Sequence, residues 1–326
     1  MHVRPALFGH CARALLACAL AVCASIALAQ QYPNRALRLV VPFPPGGSAD
    51  VVARAIAKAM SDGLEQQVVV DNRGGADGMI AADTVKNAPA DGYTLFLATN
   101  TPLNAAPVLH KNVTYDPLAD FTPIGKVGTF GFFVFVNDAL PVKTLSQLAD
   151  YARANPGKLS YGSGNSTSIV ATAMLVQQMK MDAVHVPYRG DAPMTIDLVA
   201  GRVQFAIATG TLLPQAKDGK LRILATLLPV RSALLPDVPT LPEAGVAPIP
   251  MTPWAGLFGP AKLPQPVVDR LARELARALG TTEVRTALEN VAFAPQPGSA
   301  DELADMLKEQ LVAWRRAAKD AGLQAD

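Results

Sequence analysis

Two loops of this sequence place glycines and polar side chains directly before an apolar helical stretch, a combination that can bind an anion. In residues 42–50, prolines stiffen the backbone, two glycines let a ligand approach it, and Ser48 opens a helix. Residues 161–168 have a denser set of hydroxyl and amide groups. An ordinary capped turn also explains each loop, so both interpretations stay open. The candidate ligand-binding residues are Phe43, Pro44, Pro45, Gly46, Gly47, Ser48 and Asp50 in the first loop, and Gly164, Asn165, Ser166, Thr167 and Ser168 in the second.

Polar residues also follow two other predicted strands. Asn100 and Thr101 come directly after one of them, and Tyr188 and Arg189 come after another. An arginine in this position can hold a carboxylate with two parallel hydrogen bonds, although a solvated surface charge is the alternative. These four residues are further candidates for a ligand site.

The sequence lacks the usual motifs of nucleotide-binding proteins and serine hydrolases. Gly162 and Gly164 lack the third glycine of the dinucleotide fingerprint, and neither loop ends in Gly-Lys-Ser/Thr. No serine of the second loop lies in a Gly-x-Ser-x-Gly elbow. We therefore predict ligand binding without catalysis and without a cofactor. The alternative is a secreted hydrolase or isomerase in which Asp50 or Asp191 acts as the base.

The first 29 residues have the features of a secretory signal peptide. Arg4 and Arg13 supply positive charge, an apolar run extends through Leu28, and residues 27–29 form a small-x-small cleavage site. The run is too short to span a bilayer comfortably, so we expect cleavage and a soluble periplasmic protein. Lipoprotein processing at Cys18 is the alternative.

Removal of this segment changes the composition. All three cysteines leave with it and only His110 and His185 remain, so a zinc or iron site is not expected. An all-carboxylate calcium or magnesium site stays open. Two of the 29 Lys and Arg residues also leave, so that 27 of them face 27 Asp and Glu. This formal neutrality argues against a nucleic-acid or anionic-membrane surface.

Short β-branched or aromatic runs alternate with helical patterns, which predicts the α/β class with parallel strands joined by crossover helices. The helix whose apolar stripe lies in residues 51–60 should end at Gly63. Capping boxes at Thr144 and Ser299 predict further helix starts. The predicted strands are residues 37–43, 67–71, 94–98, 132–136, 183–186, 203–208 and 222–226.

The order of segments predicts two lobes. Residues 229–266 contain ten of the 27 prolines, so they hold little helix and return the chain from one lobe to the other. We expect residues 30–128 with 230–326 to form one lobe and residues 129–229 the second. The cleft between two such lobes is a favoured place for a small ligand.

Taken together, these segments resemble the Bug family of periplasmic solute-binding receptors, the binding component of tripartite tricarboxylate transporters. The resemblance implies a two-lobed periplasmic-binding-protein fold of type II, a Venus flytrap with a ligand cleft between the lobes. In that family, the loop matching residues 43–47 reaches the far end of the ligand through ordered water, and the segment matching residues 164–168 holds the near carboxylate. The landmarks are residues 42–50, 71–75, 91–95, 115–117, 155–159, 185–188 and 235–240.

The resemblance also implies a ligand class and partners. The ligand would be a di- or tricarboxylate or a related acid, and a monomeric receptor would deliver it to the integral-membrane subunits of a transporter or to a periplasmic sensor domain. Many relatives have an aspartate in the strand-end segment that here contains Ala208 and Thr209. Because Ala208 cannot neutralise an ammonium group, we expect a plain carboxylic acid. Arg189 replaces the usual lysine, which leaves lysine-based ligand contacts open.

Overall fold

The computed structural model describes residues 32–232, 234–251 and 253–320. In these ranges the chain forms two β-sheets with helices packed against them, which confirms the α/β class. The signal peptide predicted for residues 1–29 and the alternative lipid attachment at Cys18 lie outside the described residues. No helix in the described ranges is long and apolar enough to span a membrane.

The first sheet has six strands. They are β1 (Leu37–Val41), β2 (Val68–Asn72), β3 (Thr94–Thr99), β4 (Phe121–Phe130), β10 (Trp254–Pro260) and β11 (Phe293–Gly298). Their order across the sheet is β11-β4-β10-β3-β1-β2. Strand β1 is parallel to β2 and β3, whereas β10 is antiparallel to β3 and β4.

The second sheet has five strands in the order β7-β6-β8-β5-β9. They are β5 (Phe132–Asn137), β6 (Ser160–Ser163), β7 (Val184–Pro187), β8 (Phe205–Thr209) and β9 (Leu221–Thr226). Strands β5 and β8 are apolar and almost completely buried, as expected of central strands that are covered on both faces.

Helices cover both sheets. They are α1 (Ser48–Leu64), α2 (Met79–Lys86), α3 (Ala106–Leu109), α4 (Leu145–Ala154), α5 (Ser166–Gln178), α6 (Asp191–Val199), α7 (Leu213–Lys217), α8 (Gln265–Gly280), α9 (Thr282–Glu289) and α10 (Ala300–Asp320). A π-helical turn, Thr101–Ala105, joins β3 to α3.

The two predicted capping boxes lie at helix starts. The Thr144 side chain accepts a hydrogen bond from the backbone of Gln147 at the start of α4. Before α10, Ser299 and Glu302 exchange hydrogen bonds of 3.1 and 3.0 Å. These side chains satisfy N–H groups that have no partner inside the helix, which is why their spacing was informative.

The predicted end of α1 was wrong. The helix continues through Gly63 to Leu64, and Glu65 takes the left-handed conformation with φ of 54°. Gly63 instead allows α8 to pack closely, because a Cβ at this position would lie 1.9 Å from a carboxylate oxygen of Glu274.

All seven predicted strands are present with boundaries that shift by two residues at most, but both sheets are mixed rather than parallel. Strands β5 and β10 are the cause. Each follows a passage of the chain between the sheets instead of a crossover helix, and each pairs antiparallel with its neighbours. The chain passes from the first sheet to the second at Gly131, and it returns to the first sheet through residues 227–253.

Candidate functional site

The loops at the carboxyl ends of β1, β3, β6, β7 and β8 surround a cavity of about 60 Å³ between the two sheets. Both sheets therefore contribute to one site, as is common at strand ends of α/β proteins. Twelve of the predicted residues line it: Phe43, Pro44, Pro45, Gly47, Ser48, Asn100, Thr101, Gly164, Asn165, Thr167, Arg189 and Thr209. Six do not line it: Gly46, Asp50, Ser166, Ser168, Tyr188 and Ala208.

Three helices begin at this cavity. Helix α1 starts at Ser48, α5 at Ser166 and α6 at Asp191, and the cavity is lined by residues at each of these starts. The first N–H groups of a helix have no partner within it and produce a partial positive charge. Converging helix starts from both sheets therefore favour an anionic ligand.

Asp50 stabilises the first loop from outside the cavity lining. Its carboxylate accepts hydrogen bonds of 3.0 Å from the Gly46 backbone, the Asn72 amide and the Arg54 guanidinium. Burial acts to raise the pKa of Asp50, but these hydrogen bonds, above all that from Arg54, outweigh it and lower the pKa. Asp50 is therefore an ionised brace of the loop, and its lowered pKa and its position outside the cavity lining make it a poor general base.

Ser48 lines the cavity and has a buried hydroxyl group. Its side chain is 3% exposed, and its Oγ has no hydrogen-bond partner among the described residues. A buried hydroxyl without a partner is costly, so a ligand that accepts a hydrogen bond here would relieve that cost.

A hydrogen bond joins the two halves of the site. Asn100, which follows β3, donates from Nδ2 to Thr167 Oγ1 in α5 over 2.6 Å, and Thr101 Oγ1 lies 3.4 Å from the same oxygen. All three side chains are buried. Because the Asn100 amide occupies a lone pair of Thr167, the Thr167 hydroxyl hydrogen can point to Thr101 Oγ1 or to an acceptor in the cavity.

The start of α5 divides its polar residues between two roles. Asn165 and Ser168 form a capping box, with the Ser168 N–H donating to Asn165 Oδ1 over 3.0 Å. Ser166 is buried and its hydroxyl has no partner among the described residues, but it does not line the cavity. Asn165 thus caps the helix and also lines the cavity, whereas Ser168 only caps and Thr167 only lines.

Both charged residues of the cavity lining lie at the start of α6, Arg189 just before it and Asp191 as its first residue. Arg189 lines the cavity and is otherwise exposed, and it forms no ion pair among the described residues. Tyr188 points elsewhere, because its hydroxyl donates to Asp197 over 2.8 Å. Asp191 lines the cavity beside Thr209.

Ala208 belongs to the hydrophobic core behind the cavity, whereas its neighbour Thr209 lines it. The sequence-based set missed several lining residues. Gly190, Asp191, Ala192 and Pro193 directly follow Arg189, so that extending the predicted segment would have included them. Phe130 and Phe132 lie at the passage between the sheets, and no local motif marks them. The missed residues are Ala49, Thr99, Phe130, Phe132, Gly190, Asp191, Ala192 and Pro193.

The two histidines lie away from the cavity lining. His185 Nε2 is 2.6 Å from Ser163 Oγ, and the ring stacks on Tyr161 with centroids 5.0 Å apart. Partial burial lowers the pKa of His185, which fits the predicted structural role. His110 is 2.8 Å from Asp77. The described residues contain no cluster of three or more His, Cys, Asp or Glu side chains that could hold a metal ion.

Comparison with known sequences places the chain among transport receptors. The family model described as tripartite tricarboxylate transporter family receptor matches residues 52–323. A UPF0065 protein from the tcbD-tcbE intergenic region of Pseudomonas sp. strain P51 is 38% identical over 321 residues, covering 96% of this chain and 95% of the relative.

Comparison with solved structures gives the same result and confirms the two-lobed fold. The structure of Rpa4515 from R. palustris with adipate has a TM-score of 0.87 at 33% identity, covering 91% of this chain and all of that one. The periplasmic binding protein BugD has a TM-score of 0.86 at 31% identity, covering 90% and 100%. MatC from Rhodopseudomonas palustris with bound malate has a TM-score of 0.82 at 31% identity, covering 88% and 99%.

Proposed function

Since this chain belongs to the tripartite tricarboxylate transporter receptor family, we propose that it is a periplasmic solute-binding receptor. It captures a small carboxylate, either a di- or tricarboxylate or a related organic acid, between its two lobes. It then delivers the intact ligand to the integral-membrane subunits of a tripartite transporter. The lobes are residues 30–128 with 230–326, and residues 129–229.

The observation that supports this proposal most strongly is the meeting of three helix starts from two sheets at one cavity. Ser48 offers a hydroxyl without a partner, and Thr167 offers a hydroxyl hydrogen whose direction Asn100 restricts. Charge-assisted hydrogen bonds to a carboxylate contribute about 1.5–3 kcal/mol each. Because the donors come from both lobes, a ligand that bonds all of them stabilises the closed arrangement.

The ligand class follows from the chemistry of these donors and from the relatives. Two similar receptors were solved with adipate and with malate, which are both small dicarboxylates. The position of Ala208 in the core leaves the end of β8 without an acidic side chain of its own. Because neither adipate nor malate carries an ammonium group, a plain carboxylic acid is the ligand that we propose.

Catalysis is not part of the proposed function. A hydrolase needs a nucleophile and a base on the cavity, and the Ser163–His185 pair is not among the residues that line it. Asp50 is ionised and braced by Arg54 outside the cavity. A sensor that signals to a periplasmic partner would use the same ligand site, so that delivery and signalling differ only in the docking partner.

Ligand binding is expected to raise the melting temperature of the mature protein. A ligand at 100 times its dissociation constant adds about 2.7 kcal/mol to the free energy of unfolding. For a chain of this size that corresponds to a shift of about 4 °C. The measurement is a thermal-shift screen with adipate, malate, citrate and other small carboxylates at neutral pH.

The matched control is adipamide, which has the length of adipate without its charges and should give no shift. A screen in which millimolar carboxylates all leave the melting temperature unchanged would contradict the proposed function. Chemical conversion of a bound acid, followed by NMR of the recovered ligand, would contradict the absence of catalysis.

A further inference from the structure

Asp191 is the only acidic side chain among the described residues that line the cavity. Thr209 Oγ1 donates to Asp191 Oδ2 over 2.8 Å, and Asn165 Nδ2 donates to Oδ1 over 3.4 Å. Gly164 makes room for this carboxyl group, because a Cβ on Gly164 would lie 2.4 Å from Asp191 Oδ1. The loop thus encloses an acid inside a site whose other features favour an anion.

No cation among the described residues forms an ion pair with Asp191. The nearest one in sequence is Arg189, which lines the cavity from an exposed position without an ionic partner. On α6 itself, Asp197 accepts a hydrogen bond of 2.8 Å from the Tyr188 hydroxyl and forms an ion pair of 2.7 Å with Arg202. The side chains on this element therefore give the Asp191 carboxylate no full positive partner, and it meets only the partial positive charge of the helix start.

The other elements around Asp191 present no charge to it either. The start of α5 contributes neutral groups, and the end of β8 contributes Thr209 and the Thr211 hydroxyl bonded to it. On β7, His185 is bonded to Ser163. Across the cavity, the acid of the first loop, Asp50, is paired with Arg54.

A ligand carboxylate that enters this cavity meets a second carboxyl group in an enclosed space. Two carboxylates that share such a site cannot both stay ionised at low cost, so that one of them takes up a proton. We propose that Asp191 contacts the bound carboxylate as a neutral carboxylic acid that donates its proton, and that ligand binding is accompanied by uptake of one proton. This inference rests on the proposed function, because it requires a carboxylate ligand.

The environment of Asp191 in the free protein shifts its pKa in the same direction as a ligand carboxylate would. Its enclosure raises the pKa of the carboxyl, although the hydrogen bonds from Thr209 and Asn165 act in the opposite direction. An approaching ligand carboxylate raises the pKa further. Affinity is therefore expected to be highest below the pKa of free Asp191. It falls up to tenfold per pH unit between that pKa and the higher pKa of the complex.

Isothermal titration calorimetry tests the inference directly. We expect titration of the wild-type protein with adipate or malate at pH 7, in phosphate and in Tris, to give a difference in binding enthalpy that corresponds to about one proton taken up. The dissociation constant should also rise between pH 6 and 8.5, where the carboxyl groups of these ligands stay ionised. These two measurements need no variant, so they do not depend on whether a substitution folds.

One variant and its control identify the group that takes up the proton. Asp191→Asn keeps the shape and supplies a permanent donor, so that it should abolish proton uptake and retain wild-type or better affinity at pH 8.5. The matched control is Asp197→Asn on the same helix, which should leave the proton uptake unchanged because Asp197 does not line the cavity.

The outcomes separate this inference from the proposed function. Binding with no proton uptake, or uptake that persists in Asp191→Asn, would overturn the role of Asp191 alone. Affinity that rises with pH and is lost in Asp191→Asn would also overturn it, because an ionised Asp191 would then be meeting a donor group of the ligand. Absence of carboxylate binding at every pH would overturn both.

Discussion

Replacing Thr167 with valine is expected to raise the dissociation constant for a carboxylate by about ten- to a hundredfold. Valine keeps the shape of threonine but loses the hydroxyl group, which accepts from Asn100 and faces the cavity. A hydrogen bond to a charged ligand contributes about 1.5–3 kcal/mol, and each 1.4 kcal/mol is a factor of ten in affinity. The measurement is titration calorimetry with the acid that gives the largest thermal shift.

Ser166→Ala is the matched control. Ser166 is the neighbouring residue, is equally buried and also has a hydroxyl group, but it lies outside the cavity lining and its oxygen has no partner among the described residues. Its replacement should leave the affinity unchanged. Equal affinities for Thr167→Val and the wild type would remove α5 from the ligand site. A large loss in Ser166→Ala would place the ligand on the opposite side of the helix start.

Replacing Trp254 with phenylalanine is expected to destabilise the protein more than the same change at Trp314, by about 1–3 kcal/mol in the free energy of unfolding. Both indoles are completely buried. Trp254 Nε1 donates to Asn104 Oδ1 over 2.9 Å, whereas Trp314 Nε1 has no partner among the described residues. The first change leaves the Asn104 oxygen buried and unpaired, which costs about that amount, and the second removes a donor that is already unpaired.

The comparison of the two tryptophan variants also concerns the candidate ligand site. Asn104 also donates to the Leu307 carbonyl in α10 over 3.2 Å, so that its amide ties the π-helical turn to β10 and α10. The same turn begins with Thr101, directly after Asn100. Urea unfolding followed by circular dichroism compares the two variants without relying on tryptophan fluorescence. Equal losses of stability would show that the Trp254–Asn104 hydrogen bond contributes nothing measurable.

Much of the cavity lining was predictable from local chemistry. Glycines, prolines and hydroxyl groups act on the backbone within a few residues, so the loops after β1 and β6 could be identified without knowing their neighbours. The same applies to the caps at Thr144 and Ser299, where both partners of each hydrogen bond lie in one helical turn. The resemblance to the Bug family is confirmed by a family match that extends from residue 52 to residue 323.

Local chemistry could not assign individual side chains to the cavity. Ser166, Thr167 and Ser168 are consecutive hydroxyl residues at one helix start, and their types do not show which one faces the ligand. The rotation of α5 on its sheet decides this, because successive helical residues point about 100° apart. Asp50 was misplaced for a similar reason, since its partners Asn72 and Arg54 were not known to lie behind the loop.

Residue type and periodicity therefore established the α/β class and the strands that precede the cavity loops, and they predicted that those loops bind an anion. The mixed strand order, the contribution of Phe130 and Phe132 and the enclosure of Asp191 depended on folding of the whole chain. These features arise from contacts between residues that are distant in sequence, such as Asn165 and Asp191 or Asn100 and Thr167. The sequence shows which side chains are present, but the packing of the folded chain decides which of them come into contact.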